Sequence, residues 1–254
     1  MSPALLLRSL AFHCCFYLNT ILHMFAAMPF LLLPRLWIWI PVRSWCASNL
    51  WLLAAICGTR FEIRGRERVP PGAFLVAAKH QSTWEVFTLL PLFADPVFVF
   101  KHELVWVPIF GWYIAKAEMV PVRRGGRATA LAAVAERAKL EIARGRPVVM
   151  FPEGTRRMPG AEPAYKYGIA HLYGALGVRC VPIALNSGVF WPRRALVIRP
   201  GTVKMEILEP IEPGLSESAF MARLQHEIES ATARLVAEGQ AELESNGVPV
   251  ADRA

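Results

Sequence analysis

The stretch "AFLVAAKHQSTWE", from residue 73 to residue 85, places an apolar run directly before a group of polar residues. The run Ala73–Ala78 has the length and composition of a buried strand. His80 and Glu85, which follow it, have a joint chemical use. An imidazole takes a proton from an alcohol near neutral pH, and a carboxylate on its other nitrogen stabilises the charged ring. The alternative is a surface histidine beside a helix that carries Glu85 near its positive end.

Apolar runs of the same kind recur along the chain and alternate with helical stretches. The further predicted strands are Val97–Phe100, Val148–Phe151, Val181–Leu185, Ala195–Ile198 and the alternating, half-exposed Val203–Leu208. Predicted helices cover Ala128–Ala143, Tyr165–Leu176 and the stretch from Ser216 to about Glu244. This alternation favours an α/β fold with a mainly parallel sheet flanked by helices.

Polar residues follow three of the predicted strands. They are His80, the "EGTR" turn from Glu153 to Arg156, and the "NSG" group from Asn186 to Gly188. Sites in open α/β sheets lie beyond the carboxyl ends of the strands, so these groups are expected to converge at one edge.

The "EGTR" turn has the chemistry of an anion site. Gly154 permits a tight turn, and Thr155 and backbone N–H groups can donate to an anion. The planar fork of Arg156 suits a phosphate group. The alternative is an ordinary turn held by a structural Glu–Arg pair.

Residues 1–57 differ in composition from the rest of the chain, because they contain no Asp, Glu or Lys. The run Ser9–Leu33 is long enough to cross a bilayer, which takes roughly 20 apolar residues. The run Trp45–Cys57 is long enough only with the segment Trp37–Ile40 added. We predict a helical membrane anchor over 1–57 and an α/β domain over 58–254. A secretory signal peptide fits less well, and a buried helix pair is the other alternative.

The position of the anchor relative to the membrane stays open, since one span and a hairpin in one leaflet both fit the sequence. The arginines that follow the apolar region are Arg60, Arg64, Arg66 and Arg68. By the positive-inside rule they place the α/β domain on the cytoplasmic side of the inner membrane.

The overall composition narrows the possible partners. The chain has 254 residues, 54% of them hydrophobic, and a formal net charge of +8. A basic protein favours anionic partners, but no nucleic-acid-binding module is recognisable, so no nucleic acid is expected. The five cysteines form no C-x-x-C pair, and no metal site is indicated. Neither G-x-S-x-G nor a P-loop occurs.

Four ordered motifs over roughly residues 60 to 212 resemble those of the glycerolipid acyltransferases, the family typified by 1-acylglycerol-3-phosphate acyltransferase. The first is "HQSTWE", in which Glu85 stands where most members carry aspartate. The third, F-P-E-G-T-R, is unchanged from Phe151 to Arg156. The second resembles "KHELVWVPIFGWYIAKAEMVPVRR", with matches at Lys101, Glu103, Leu104, Pro108, Gly111 and Arg123; the fourth resembles "VPIALNSG", with a match at Pro182.

The resemblance implies a mechanism and its site residues. His80 would take the proton of the sn-2 hydroxyl of lysophosphatidic acid, which then attacks the thioester of acyl-CoA or acyl-carrier protein. Glu85 would orient His80. The residues expected to bind the glycerol phosphate are Glu153, Gly154, Thr155 and Arg156, with Lys101 and Arg123 as further cations. No cofactor or metal is needed, and membrane lipids are the other expected partners.

Two other functions remain compatible with the sequence. The acceptor could be a lyso-ornithine lipid, another lysophospholipid or glycerol 3-phosphate, all of which would use the same His–carboxylate pair. A non-catalytic, membrane-bound lipid-binding protein is the more remote alternative.

Overall fold

Seven strands form one mixed sheet in the computed structural model, which describes residues 2–123 and 128–249. The strands are β1 Thr59–Arg64, β2 Leu75–Ala78, β3 Val97–Lys101, β4 Val120–Val122, β5 Val148–Met150, β6 Cys180–Leu185 and β7 Gly201–Ile207. The α-helices are α1 Pro3–Ala26, α2 Trp39–Leu52, α3 Trp84–Leu92, α4 Phe110–Lys116, α5 Ala128–Ala143, α6 Gly168–Leu176, α7 Ser187–Phe190 and α8 Glu217–Ser245.

The strand order is β1-β7-β6-β2-β5-β3-β4, and β6 with β7 is the antiparallel pair among these neighbours. Strand β2 lies at the centre, where Leu75 is in register with Val148 of β5 and Cys180 of β6. This confirms the predicted α/β fold with a mainly parallel sheet. Every residue of β2 is buried, which explains its continuous apolar sequence.

The two faces of the sheet carry separate cores. Val76 and Ala78 of β2 belong to a cluster that includes buried residues of α1, α2 and α3, such as Phe12, Cys46 and Phe87. Leu75 and Ala77 point the other way, into a cluster supplied by α5, α6 and α8. Alternate residues of one strand therefore hold the two helical layers on the sheet.

The predicted strand Ala195–Ile198 is wrong, because these residues form an irregular segment before β7. Their backbone groups bind α1 instead of a neighbouring strand: the N–H of Ile198 donates to Ser9 Oγ at 2.9 Å, and the carbonyl of Leu196 lies 3.1 Å from His13 Nε2. Helix α5 has the predicted bounds, whereas α6 begins at Gly168, three residues after the predicted start.

The N-terminal helices pack on the α/β domain. After α2 the chain continues as a π-helical turn, Leu53–Cys57, and a single residue, Gly58, separates this turn from the start of β1 at Thr59. The segments Pro3–Ala26 and Arg35–Cys57 are long and apolar enough to cross a membrane. Phe12 of α1 and Cys46 of α2 share a core with β2. The division of the chain into an anchor, 1–57, and an α/β domain, 58–254, therefore remains a prediction. Residues 250–254 of that predicted domain lie outside the described residues.

A cluster of charges holds the start of α2 on the amino edge of the sheet. Asp95, just before β3, accepts two hydrogen bonds from Arg35 at 2.9 and 2.7 Å and one from Trp39 Nε1 at 2.8 Å. Arg146, just before β5, donates to the same carboxylate at 3.1 Å. The opposite, carboxyl edge is where the predicted site residues lie.

Candidate active site

Three neighbouring strands deliver the predicted site residues to one edge. Strand β2 leads into Lys79 and His80, β5 leads into the segment Phe151–Arg156, and β6 leads into Asn186. Since β5 and β6 flank β2 in parallel, their carboxyl ends meet, as the strand-end pattern predicts.

His80 and Glu85 are close but are not hydrogen-bonded to each other. His80 Nδ1 lies 3.8 Å from Glu85 Oε1, and the Glu85 side chain is fully buried. Nδ1 is itself buried and has no hydrogen-bond partner among the described residues. The 15% of the His80 side chain that is exposed therefore excludes Nδ1. The ring turns Nδ1 inward toward the carboxylate.

The Glu85 carboxylate also holds the loop that carries His80. Its oxygens accept the backbone N–H of Gln81 and of Ser82, the latter at 2.8 and 3.1 Å. Glu85 lies in the first turn of α3, so the helix of the alternative interpretation is present as well. Glu85 is both the neighbour of His80 and the acceptor for its loop.

The segment after β5 holds His80 from the other side. The imidazole stacks on the ring of Phe151, with centroids 4.0 Å apart and planes inclined by 18°. The backbone N–H of Arg157 donates to the carbonyl of His80 at 2.8 Å. The first and third motifs are therefore in direct contact.

The "EGTR" turn places its residues on different sides. Gly154 has φ of +63°, a left-handed conformation that favours glycine. Glu153 is buried beneath the turn, where its carboxylate accepts from Lys79 Nζ at 2.9 Å and from the N–H of His80 at 3.4 Å. Burial raises the pKa of the Glu153 carboxyl, and the Lys79 ammonium opposes that rise. Thr155 is half-buried.

Arg156 reaches across to the first motif. Its Nη1 donates to Thr83 Oγ1 at 2.8 Å, so Thr83 orients the guanidinium. The carbonyl of Arg156 accepts from Arg193 Nη1 at 2.9 Å. Thr83 was not among the site residues predicted from the sequence. Arg156 thus lies beside the loop that carries His80.

Lys101 and Arg123 follow two adjacent strands at the same edge. Lys101 ends β3 and is half-buried, while Arg123 follows β4 and is exposed. Lys101 is in register with Val122, so Arg123 lies one residue farther along the neighbouring strand. The last residue of the second motif, Arg124, lies outside the described residues.

Asn186 stabilises the fold at this edge through hydrogen bonds of its side chain. Its Nδ2 donates to the carbonyl of Leu235 on α8, and its Oδ1 accepts the N–H of Lys204 on β7, both at 2.7 Å. The N–H of Gly188 donates to Gln81 Oε1 at 3.0 Å. A Cβ at Gly188 would lie 2.8 Å from Pro159, so glycine lets the segment after the "EGTR" turn approach.

The described part of the chain offers no group of three or more His, Cys, Asp or Glu that could hold a metal ion. What it offers is a histidine beside a carboxylate and a cationic turn. A histidine in this setting can act as a general base, and a turn that carries an arginine can bind an anion.

A comparison with known protein families identifies the family of this chain. The family model described as Acyltransferase matches residues 60–186, which make up half of the chain. The chain belongs to the Acyltransferase family. The matched region contains His80, Glu85, Lys101, Arg123 and the whole "EGTR" turn.

Several curated relatives carry one name. A 1-acyl-sn-glycerol-3-phosphate acyltransferase of Pseudomonas aeruginosa is 36% identical over 166 residues, 65% of this chain and 65% of that protein. One of Chlamydomonas reinhardtii is 30% identical and covers 65% of this chain and 51% of its own length. The alpha enzyme of mouse is 27% identical, with 61% and 55% covered. The chain therefore matches about half to two thirds of the length of these relatives.

A solved structure shares the fold. The 1-acyl-sn-glycerophosphate (LPA) acyltransferase of Thermotoga maritima superimposes with a TM-score of 0.74 at 22% identity. The match covers 90% of this chain and 97% of that one. Because it extends over nine tenths of the chain, the similarity of fold reaches beyond the residues of the family model.

Proposed function

We propose that the protein transfers an acyl group from acyl-CoA or acyl-carrier protein to the sn-2 hydroxyl of lysophosphatidic acid, giving phosphatidic acid. The observation that carries this proposal is the buried Glu85 carboxylate 3.8 Å from His80 Nδ1, beside the cationic turn of Arg156. Family membership and the names of the relatives support the same reaction.

The orientation of His80 supports a general-base mechanism. With Nδ1 protonated and turned toward Glu85, Nε2 takes the proton of the acceptor hydroxyl. At the same time the oxygen of that hydroxyl bonds to the thioester carbon. When the tetrahedral intermediate collapses, the C–S bond breaks. The imidazolium then returns the proton to the departing sulfur, which leaves as a thiol. Glu85 stabilises the imidazolium in between.

The phosphate of the acceptor would bind the cations at the same edge. Arg156 presents a fork that Thr83 already orients, and Lys101 and Arg123 follow the neighbouring strands. The N–H of Gly154 closes the turn by donating to the carbonyl of Phe151 at 2.9 Å, and Thr155 adds a hydroxyl donor. A phosphate-bearing acceptor makes use of the cations and of this hydroxyl.

We expect Arg156→Ala to raise the KM for lysophosphatidic acid by about 10- to 100-fold, because it removes a charge-assisted contact to phosphate. The KM for 1-monoacylglycerol, which lacks the phosphate, should stay unchanged. Thiol release from acyl-CoA, with mass spectrometry of the lipid product, measures both.

A panel of acceptors tests the function itself. Lysophosphatidic acid, lyso-ornithine lipid, lysophosphatidylcholine and glycerol 3-phosphate are offered to the wild-type protein. Acylation of a non-phosphorylated acceptor alone would contradict the proposal. So would an Arg156→Ala variant whose KM for 1-monoacylglycerol rises as much as its KM for lysophosphatidic acid.

We further propose that the protein attaches to the cytoplasmic face of the inner membrane through the outer face of α1. Several apolar side chains there are exposed, among them Tyr17, Leu18 and Leu22 at 63%, 59% and 59%. Both ends of α1 are tied to the rest of the chain: Arg8 donates to the carbonyl of Ile56, and the carbonyl of Met24 accepts the hydroxyl of Tyr113. A helix held along about 24 Å of its length favours lying in one leaflet over crossing the bilayer.

We expect the double substitution Leu18→Glu and Leu22→Glu to lower binding to phospholipid vesicles at least about tenfold, since each buried leucine contributes roughly 1.5–3 kcal/mol. Sedimentation with vesicles measures the bound fraction. Leu140→Glu is the control, because Leu140 is 55% exposed on α5, which packs on the other face of the sheet. Equal binding by the double variant and the control would contradict attachment through α1.

A further inference from the structure

Beneath the site lies a chain of polar side chains that the proposed mechanism does not use. Lys79 Nζ donates to Glu153 Oε1 at 2.9 Å and to Glu229 Oε1 at 2.6 Å. The hydroxyl of Tyr165 donates to the same Glu229 oxygen at 2.9 Å. The side chains of Lys79 and Glu153 are 3% and 0% exposed, and that of Glu229 is 25% exposed. Lys79, Glu153, Glu229 and Tyr165 are called the lysine relay below.

The lysine relay connects α8 to the backbone of His80 by two routes. Lys79 directly precedes His80 in the chain and is fixed by its N–H bond to the carbonyl of Ile183 on β6. Glu153 reaches His80 through its other oxygen, which accepts the His80 N–H at 3.4 Å. A shift of the Lys79 ammonium therefore acts on His80 both along the chain and through Glu153.

Stability alone gives a poor account of the lysine relay. Two carboxylates around one buried ammonium must be desolvated, and the attraction among such groups offsets much of that cost without large net gain. Burial also raises the pKa of Tyr165, which keeps its hydroxyl a donor to Glu229. What a hydrogen-bonded cluster of this kind provides is a fixed geometry.

We propose that Glu229 and Lys79 are positioning residues for His80: they hold the Glu153 carboxylate against the His80 N–H and thereby set the distance of the imidazole from Glu85. The inference rests on the proposed acyl transfer. It gives Glu153 an internal role in place of the substrate contact expected from the sequence. It also gives the C-terminal helix a part in the reaction, although Glu229 lies outside the region matched by the family model.

The test is Glu229→Gln, which keeps an acceptor for Lys79 and Tyr165 and removes the charge. Displacing a catalytic group by a fraction of an ångström is costly, so kcat should fall by about 10- to 100-fold. The KM for lysophosphatidic acid and for acyl-CoA should stay within about twofold, because the relay contacts neither substrate. The control is Glu227→Gln on the same helix, where Glu227 pairs with the half-exposed Arg223 at 2.7 Å.

A second variant separates positioning from a loss of folding. Tyr165→Phe deletes one hydrogen bond to Glu229 and leaves every charge in place. We expect a smaller fall in kcat, about two- to fivefold, and no further fall when it is combined with Glu229→Gln, since residues of one network are not additive. Additive losses, or losses that follow only the thermal midpoint of unfolding, would overturn the inference.

A spectroscopic measurement tests the inference without relying on turnover. The imidazole ¹⁵N signals of His80, assigned by their disappearance in His80→Ala, should move in Glu229→Gln and stay in place in Glu227→Gln. Unmoved signals with unchanged kcat in an active wild-type background would refute the positioning role. A wild-type protein that acylates none of the acceptors would instead refute the proposed function, whatever the signals show.

Discussion

Replacing His80 with alanine is expected to lower kcat/KM for acyl transfer by about 10²- to 10⁴-fold, the range that a general base contributes. Without the imidazole the site loses its proposed general base, and Glu85 cannot replace it because its carboxylate is fully buried and engaged with loop N–H groups. Thiol release from acyl-CoA in the presence of lysophosphatidic acid measures the loss.

The fold should survive this substitution. The His80 ring makes one stacking contact, with Phe151, and its backbone bonds to Arg157 and Glu153 do not involve the side chain. The thermal midpoint and vesicle binding should therefore match the wild type. His226→Ala, at an exposed position on α8, is the control for removing a histidine. A His80→Ala protein that keeps more than a tenth of the activity would contradict the mechanism.

The meeting of the polar site residues at one edge could be predicted because β2 and β6, the strands that precede two of the groups, are buried on both faces. Apolar runs such as Ala73–Ala78 stand out, and the polar residues after them lie at one edge by the geometry of parallel strands. Strand β1, with the sequence "TRFEIR", was missed because it lies at the edge of the sheet and is largely exposed. The segment Ala195–Ile198 was wrongly predicted as a strand for the opposite reason. It is apolar, but its backbone hydrogen-bonds to α1.

Local contacts could be predicted from spacing, whereas long-range ones could not. Four residues separate His80 from Glu85, so their proximity follows from one loop. Lys79 and Glu229 are 150 positions apart, and their ion pair depends on how α8 packs on the sheet. Asn186 shows the same limit, since its strand-end position placed it among the groups expected to converge at the edge, whereas its amide bonds to α8 and β7.

Glu85→Ala is expected to lower kcat by about 10²- to 10³-fold, because the imidazole loses the group that orients it and stabilises its charge. It should also lower the free energy of unfolding by about 2 to 4 kcal/mol, since the N–H groups of Gln81 and Ser82 lose a charged acceptor. Chemical denaturation and steady-state kinetics on the same preparation measure the two effects.

Glu85→Asp tests whether the charge or the length of the side chain matters. Aspartate at this position keeps a carboxylate at the start of α3, one methylene farther from the loop, and Ser82 remains within reach of a first-turn acceptor. We therefore expect activity within about tenfold of the wild type, because the interaction that stabilises the imidazolium is electrostatic and adjusts with distance. An aspartate variant as inactive as Glu85→Ala would show that the longer arm is required. The glutamate of this chain, at a position where most family members carry aspartate, would then have to be matched by a different position of the loop that carries His80.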